Sequence, residues 1–264
     1  TKIDPSGEAF IYSSYFGGNS KDAAYGLDVD PKYNVYLTGY TESSDFPTTQ
    51  GCYDPTYNSN DELGRGDAFI AKFNSDFSSL DFSTYIGGES TERAFSIKAD
   101  NASNSHITGS TNSSNFPTTS NGFDRKFSDT TNNSDAFYLK LDSAGRKLHY
   151  STFLGGRESD IAKKIEVLPL GSAIIVGTTF SKDFPDTKNG EEMLLSNAFV
   201  SVLYPFTDLS IDAGEDRAIC KDDSVMIGNT ANGGVGELSY TWTPIGGLSD
   251  PSIAQPWAKP DVTT

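Results

Sequence analysis

A pattern that returns about every 70 residues constrains the fold of this chain more than any other feature of its sequence. Three motifs recur in the same order. The first has the form aromatic-Ser-Ser/Thr-aromatic-x-Gly-Gly, the second is centred on Phe-Pro, and the third on Ala-Phe. Their copies lie at residues 12–18, 82–88 and 150–156, at 44–49, 114–119 and 182–187, and at 67–69, 135–137 and 197–199. Such a period indicates a tandem-repeat protein, in which each copy buries its core against its neighbours.

Each copy predicts four short β-strands. In the first copy they lie at about residues 24–29, 35–40, 68–73 and 80–86, where aromatic and β-branched residues are frequent. The turn at 30–34 contains the turn formers Asp, Pro and Asn. No amphipathic helical pattern persists for three turns. Four antiparallel strands per tandem repeat are typical of β-propeller blades, so we predict an all-β chain.

The motifs together resemble a known bacterial β-propeller repeat, called SBBP, over roughly residues 1–204. The motifs that carry the resemblance are Tyr-Ser-x-Tyr-x-Gly-Gly, Val-Tyr-Leu-Thr-Gly-Tyr-Thr, Ser-Asp-Phe-Pro-Thr-Thr and Asp-Ala-Phe-Ile-Ala-Lys. The third copy departs most, because it lacks the aspartate-bearing turn and has Asn197 where the other copies have an aspartate. We predict that residues 1–206 form a partial β-propeller, with about three four-stranded blades and the end of an earlier one. We expect a strand from an earlier part of the parent protein to complete the last blade.

A different pattern begins near residue 207. Residues 211–216, 224–228 and 238–244 alternate apolar and polar side chains as sandwich strands do, and Trp242 is the predicted core anchor. The motifs Asp-Ala-Gly-x-Asp, Ile-Cys, Tyr-x-Trp-x-Pro and Gly-Leu-Ser-Asp-Pro resemble PKD-like domains, which are immunoglobulin-type modules of bacterial surface proteins. We therefore predict a truncated Ig-like β-sandwich at 207–264, incomplete at its C-terminus. Cys52 and Cys220 fall in different predicted domains, so we expect no disulfide between them; whether Cys220 pairs elsewhere stays open.

Charge and hydropathy exclude two classes of partner. The chain carries 20 basic and 36 acidic residues, for a net charge of −16, and nucleic-acid binding needs clustered Lys and Arg. The longest apolar run, around residues 174–176, is far shorter than the ~20 residues of a membrane span. We expect neither nucleic-acid binding nor membrane insertion.

Few residues are candidates for chemistry. His106 and His149 occupy strand positions that the other copies fill with unrelated residues, and neither has a Cys or a second His at metal-ligand spacing. Asp28, Asp30 and Asn34 suggest a calcium loop, but a hairpin capped by Asp and Asn is favoured because the third copy drops the acids. We predict no catalytic residue, no cofactor and no metal site; structural calcium elsewhere stays open, without named ligands.

The long connections between the second and third strands are the candidate binding surface. They cover residues 42–66, 112–134 and 181–196 and are rich in Ser, Thr, Asn, Asp and Tyr. Long loops inside a compact repeat are often functional, and we expect all three on one face of the propeller. The aromatic residues proposed to contact a glycan or a protein partner there are Tyr53, Tyr57, Phe123 and Phe127. The competing interpretation is that Phe46, Phe116 and Phe184 hold the loops against their blades.

The resemblances together imply a function. Propeller repeats followed by a PKD-like domain resemble large exported proteins of gliding bacteria, which often use type IX secretion. We therefore expect a secreted, cell-surface protein with a non-catalytic structural, adhesion or binding role, and contact with secretion machinery during export. Asp-Ser-apolar triplets at Ser143 and Ser224 resemble O-glycosylation sites of this bacterial group.

Two alternatives stay open. In the first, these domains are accessories of a secreted enzyme, such as a polysaccharide-degrading hydrolase or lyase. In the second, the propeller has an active site at its axis, which other blades help to build. A catalytic motif elsewhere in the parent protein would favour either of them.

Overall fold

The chain is built from antiparallel β-strands. The computed structural model describes residues 1–59, 66–128, 133–169, 171–185, 196–204, 218, 223–229, 239–243 and 245–259. Within these residues it contains strands and no helix, so the prediction of an all-β chain is confirmed. None of the described residues forms a helix long and apolar enough to cross a membrane. Two compact units, Thr1–Pro205 and Phe206–Thr264, make up the chain.

Within the described residues, the first unit contains three larger sheets, and in each of them the strands lie side by side in the order of the chain. The first sheet is four-stranded, with the order β3-β4-β5-β6, the second has the order β7-β8-β9-β10, and the third has three strands in the order β11-β12-β13. A small sheet pairs β1 with β2. The strands are β1 (Lys2–Ile3), β2 (Phe10–Tyr12), β3 (Asp22–Val29), β4 (Val35–Thr41), β5 (Asp67–Phe73), β6 (Leu80–Ile86), β7 (Glu92–Ala99), β8 (Ser105–Thr111), β9 (Asp135–Leu141), β10 (Leu148–Leu154), β11 (Asp160–Val167), β12 (Ala173–Thr179) and β13 (Asn197–Leu203).

The three sheets pack face to face in series. Strand β7 contacts β3, β4 and β5 of the first sheet, and β11 contacts β7, β8 and β9 of the second. One core lies between the first two sheets and includes Ile70, Ile97 and Ile107. Another lies between the second and third and includes Ile165 and Ile175. Because the second sheet is covered on both faces, every residue of β9 is buried.

A β-bulge interrupts the first strand of each of the three larger sheets. The pairing register shifts between Ala24 and Gly26 in β3, and at the equivalent places in β7 and β11. The residue opposite each bulge is a glycine. A Cβ atom there would collide with a backbone carbonyl oxygen of the bulged strand, so only glycine allows this close approach. The glycines are Gly39, Gly109 and Gly177.

The second unit is described only in part. Strands β14 (Val225–Met226) and β15 (Trp257–Ala258) pair antiparallel. The Trp242 indole N–H donates a hydrogen bond to the Ile253 carbonyl oxygen at 2.9 Å, which fits a role as local anchor. The strand predicted at 211–216 and Cys220 lie outside the described residues. The immunoglobulin-like sandwich therefore stays a prediction.

Candidate functional site

The predicted loop surface is folded back onto the sheets. In the first sheet the ring of Phe46 lies 4.6 Å from that of Phe69, and in the second Phe116 lies 4.6 Å from Phe137. The third loop repeats this contact, since Phe184 stacks on Phe199 at the same ring separation of 4.6 Å. The Phe-Pro motif therefore holds the start of each loop against its own sheet.

Beyond these phenylalanines, the first two loops run along the outer strand of their sheets. The backbone N–H of Thr49 donates to the Ser83 carbonyl at 3.1 Å, and Thr119 donates to Ser151 at 3.1 Å. Farther along the second loop, the Phe153 N–H donates to the Asp124 carbonyl at 3.0 Å. The described parts of these loops thereby cover the outer edges of β6 and β10. An open strand edge is a place for unwanted pairing with another chain, and a covering loop prevents it.

The structure separates the four aromatic residues predicted to bind a partner. Tyr53 and Phe127 pack against the core between the first and second sheets, and Tyr57 packs against the core of the first. Burial raises the pKa of both tyrosines. Phe123 alone among the four is largely exposed, with 61% of its surface in contact with solvent. Three of the four thus contribute to packing, and the binding role of this loop surface stays a prediction.

The two predicted modification sites lie on the surface. Ser143 is exposed in the turn between β9 and β10, and Ser224 is exposed directly before β14. Cys52 is half-buried and is not part of a disulfide among the described residues.

His106 lies inside the second sheet, in a buried polar cluster. It is 0% exposed; its Nε2 is 3.2 Å from Asp100 Oδ2 and its Nδ1 is 2.9 Å from the Tyr138 hydroxyl. Burial holds the pKa of His106 below its usual value, which favours the neutral ring. A carboxylate only accepts hydrogen bonds, so Nε2–H donates to Asp100 and Nδ1 accepts from Tyr138. Lys140 Nζ completes the cluster at 3.1 Å from Asp100.

Tyr138, His106 and Asp100 are hydrogen-bonded in the order of a nucleophile, a base and an orienting carboxylate. Their burial and pKa shifts are nevertheless those of a structural network. Burial alone would raise the pKa of Asp100, but hydrogen bonds from His106 and Asn104 and the charge of Lys140 hold it well below its usual value. Tyr138 is 0% exposed, and burial raises its pKa well above the ordinary value, so its hydroxyl is neither reachable nor ionised. Asp100, Lys140 and the His106 imidazole therefore satisfy one another's hydrogen bonds and charges within the second sheet.

His149 stands apart from this network, half-buried in β10, where burial and the Lys147 charge lower its pKa. Among the described residues, no three His, Cys, Asp or Glu side chains are grouped so as to hold a metal ion.

The carboxylates of Asp28 and Asp30, at the turn between β3 and β4, accept hydrogen bonds from neighbouring residues. Asp30 is buried and accepts from the backbone N–H groups of Lys32 and Asn34, both at 2.9 Å. Its other oxygen accepts from the Ser103 hydroxyl of the second sheet at 3.0 Å. Asp28 accepts from the Ala99 N–H at 2.8 Å. These contacts are those of a capped hairpin that also joins two sheets, so both carboxylates already have partners.

Sequence reasoning missed a pair of buried carboxyl groups where the first sheet meets the second. Glu92 accepts from the Gly88 N–H at 3.0 Å and from the Thr111 hydroxyl at 2.6 Å. Asp67 accepts from the N–H groups of Asn58 and Ser59 at 2.8 and 3.1 Å. Burial, together with the charge of Glu92, raises the pKa of Asp67 to about 7. The sequence does contain a pattern that points to this pair. In every copy an acidic residue follows the second glycine of the Gly-Gly motif by four positions, at Asp22, Glu92 and Asp160.

The comparison with protein families identifies part of the repeat. Residues 11–47 and 81–117 match the SBBP family, described as a β-propeller repeat. Each match runs from the strand before the glycine pair, through the first two strands of a sheet, to the Phe-Pro motif. The sequence-based recognition of SBBP repeats is confirmed for these residues. Among curated proteins, no relative matches the chain.

Proposed function

We propose that the three sheets are consecutive blades of a larger β-propeller, which acts as a non-catalytic structural and binding module of a secreted bacterial surface protein. One observation carries the proposal. Val200 of the third sheet is 70% exposed, whereas Ile70 and Tyr138, at the same place in the first two sheets, are 1% and 0% exposed. A neighbouring sheet covers each of those two residues, whereas no sheet among the described residues covers Val200. A further blade of the same repeat is the partner that fits this apolar face.

The opposite end of the series supports the same proposal. Leu27 of the first sheet is 64% exposed, while Ile97 and Ile165, its equivalents in the second and third sheets, are 2% and 3% exposed. An apolar face at both ends is expected of blades taken from a longer series. The buried polar groups support a structural role, since the network around His106 ties strands of the second sheet together and the Asp30 turn joins the first sheet to the second.

Secretion to the cell surface is proposed from the sequence resemblance. SBBP-type repeats followed by PKD-like motifs resemble exported proteins of gliding bacteria, and the anchoring of Trp242 in the second unit is compatible with an immunoglobulin-like core. We propose that the parent protein leaves the cell by type IX secretion and contacts a protein or glycan outside it. The rival is a secreted enzyme in which these domains are accessories.

Protease shaving of intact producing cells tests the location. An antibody against this segment should detect rapid loss from the surface, while a cytoplasmic marker protein stays intact. Recovery mainly as soluble protein in the medium would overturn the anchored role and put the secreted enzyme first.

The propeller proposal has a separate test at Val200. In the 264-residue chain, Val200→Asp should change the free energy of unfolding by no more than about 0.5 kcal/mol, because the side chain is exposed. In the parent protein the same change should cost about 3 kcal/mol or more, because it buries an unpaired charge. Val200→Ile is the matched control, since the first sheet has Ile70 there. Equal small effects in both proteins would refute a covering blade.

A further inference from the structure

The bulges align three side chains across the three sheets. The first strands β3, β7 and β11 contact one another in series, and their bulged residues are Tyr25, Phe95 and Lys163. The Tyr25 ring stacks on the Phe95 ring at 5.6 Å between centroids, with 27° between their planes. Lys163 Nζ lies 4.2 Å from the centroid of Phe95. One residue from each sheet therefore joins a continuous stack.

Two further residues extend this stack at its other end. The ring of Tyr40 lies 5.7 Å from that of Tyr25, at an interplanar angle of 29°. The guanidinium carbon of Arg93 lies 4.0 Å from the centroid of Tyr40. We call the five residues the aromatic row; they are, in order, Arg93, Tyr40, Tyr25, Phe95 and Lys163.

Packing of the core does not explain the row. Tyr25, at its centre, is 47% exposed, Lys163 is exposed, and neither Tyr25 nor Phe95 belongs to a core cluster of the described residues. The bulge turns the side chains out of the sheet, and the glycine opposite makes the bulge sterically feasible. Three bulges held in register by glycines, with a stack of rings in which Tyr25 is exposed and Tyr40 and Phe95 are half-buried, point to a surface for a ligand.

The row is electropositive on an acidic chain. A cation stands at each end, and the edges of aromatic rings, which are left at the surface when the faces stack, carry partial positive charge. An arginine stacked on a ring keeps its N–H groups free to bind a carboxylate. The carboxylates next along the first strands are already paired, because Lys98 Nζ lies 3.4 Å from Asp28 and 3.5 Å from Glu166. An anionic ligand would therefore meet Arg93 and Lys163 first.

We propose that the aromatic row binds an acidic polysaccharide. The row crosses three sheets, which suits an extended polymer with repeated carboxylate or sulfate groups. The tyrosine hydroxyls can bond sugar hydroxyls, and the rings offer apolar contact to sugar C–H groups. An open cavity of about 420 Å³ adjoins the row, lined partly by Gly26, Ser96 and Lys164, the residues directly after the three bulged ones. This cavity has room for one sugar unit beside the aromatic row.

Other polyanions fit the surface less well. An acidic peptide would add to an open strand edge through backbone hydrogen bonds, and the bulges interrupt the edges of β3, β7 and β11. A nucleic acid would need many more cations than the row supplies, against a net charge of −16. The aromatic row is thus the ligand surface of the binding module proposed above, and its role rests on that proposed function. It lies apart from the loops that the sequence predicted as the binding surface.

Affinity electrophoresis of the 264-residue chain tests the proposal. Gels containing alginate, pectate or chondroitin sulfate should retard the chain, gels with neutral dextran should not, and added salt should weaken the retardation. Tyr25→Ala and Lys163→Gln should each weaken binding about fivefold or more. The matched controls are Phe123→Ala and Lys126→Gln, an exposed aromatic and an exposed cation outside the row. Thermal unfolding of every variant confirms that it is folded.

Several results would overturn the proposal. They are no binding to any of the three acidic polysaccharides, equal retardation by dextran, tighter binding to polyglutamate than to alginate, and unchanged binding by both row variants. Loss of binding in Phe123→Ala alone would move the ligand to the loop surface. These experiments use purified protein, so their outcome is independent of where protease shaving finds the parent protein.

Discussion

Asp67 offers a direct test of the buried carboxyl pair. It is 0% exposed, and its only described hydrogen-bond donors are the N–H groups of Asn58 and Ser59, while Glu92 lies beside it. A Cβ atom on Gly87 would lie 2.7 Å from Glu92 Oε2 and 2.8 Å from Asp67 Cγ, so the two carboxyl groups border one small space. The change Asp67→Asn removes the ionisable group and keeps its shape. The third sheet already has Asn197 at this place.

The sign and size of the effect follow from the pKa. In the unfolded chain the Asp67 carboxyl has its ordinary pKa of 3.8, and in the folded chain it has a pKa of about 7. Its contribution to stability is thus fully present below pH 3.8 and is lost as the pH rises through 7. The loss at pH 8 is about 4 kcal/mol as an upper value, and about 3 kcal/mol of it falls between pH 5 and pH 8.

Urea unfolding at pH 5 and pH 8 measures this difference. We expect the stability of Asp67→Asn relative to the native chain to rise by about 3 kcal/mol from pH 5 to pH 8. Taking the difference removes the opposite trend of His106, whose lowered pKa makes stability fall as the pH drops below 6.5. Asp76→Asn is the control. Hydrogen bonds from Ser78 lower the pKa of that exposed carboxyl, so it stays ionised over this range in both states. A relative stability of Asp67→Asn that is equal at both pH values would refute the reasoning.

Two further predictions concern the glycine opposite a bulge and the phenylalanine that holds a loop. Gly109→Ala should cost about 3 kcal/mol in thermal or urea unfolding, since its methyl group meets a backbone carbonyl. Ser110→Ala is its control on the same strand, and equal losses would argue against the clash. Phe116→Ala should cost about 3–5 kcal/mol because the ring is buried between Phe137 and the loop. Phe123→Ala, in the same loop but exposed, should stay within about 0.5 kcal/mol, and a larger loss there would contradict the packing described.

The strands were predictable because they follow local rules. The expected strands at 35–40, 68–73 and 80–86 correspond to Val35–Thr41, Asp67–Phe73 and Leu80–Ile86. The alternation of apolar residues and the turn formers depend on only a few neighbouring positions. Because the repeat occurs three times, each of these patterns can be recognised in three copies of the sequence. In the third copy the sequence also predicted the loss of the acidic turn, where the structure has Leu168.

The candidate sites were less predictable because they depend on pairing between strands. A bulge exists only in the register of two strands, so nothing near Tyr25 in the sequence distinguishes it from an ordinary strand residue. Whether a loop aromatic faces solvent depends on the neighbouring sheet. Tyr53, for example, packs against the core, and its N–H donates to the Gly145 carbonyl of the second sheet at 2.7 Å. Phe123, in the equivalent loop of the second sheet, is exposed.

At three equivalent positions, the residue types differ together between the first two sheets and the third. The contacts among these three side chains explain why they differ together. In the first two sheets a turn aspartate accepts a hydrogen bond from a side chain of the second strand, and a lysine of the third strand lies beside them. In the third sheet all three places are apolar. The sets are Asp30, Tyr36 and Lys72; Asp100, His106 and Lys140; and Leu168, Ile174 and Val202.

A buried polar network is stable only when every member has a partner, so replacing one member favours replacing all three. The consequence concerns the neighbour of each sheet. The Ser103 hydroxyl of the second sheet donates a hydrogen bond to the Asp30 carboxylate of the first sheet. The third sheet offers Leu168 and Val202 instead, both substantially exposed. If a further blade covers this face, it must present apolar side chains where the second sheet presents Ser103, because a hydroxyl there would be buried without an acceptor.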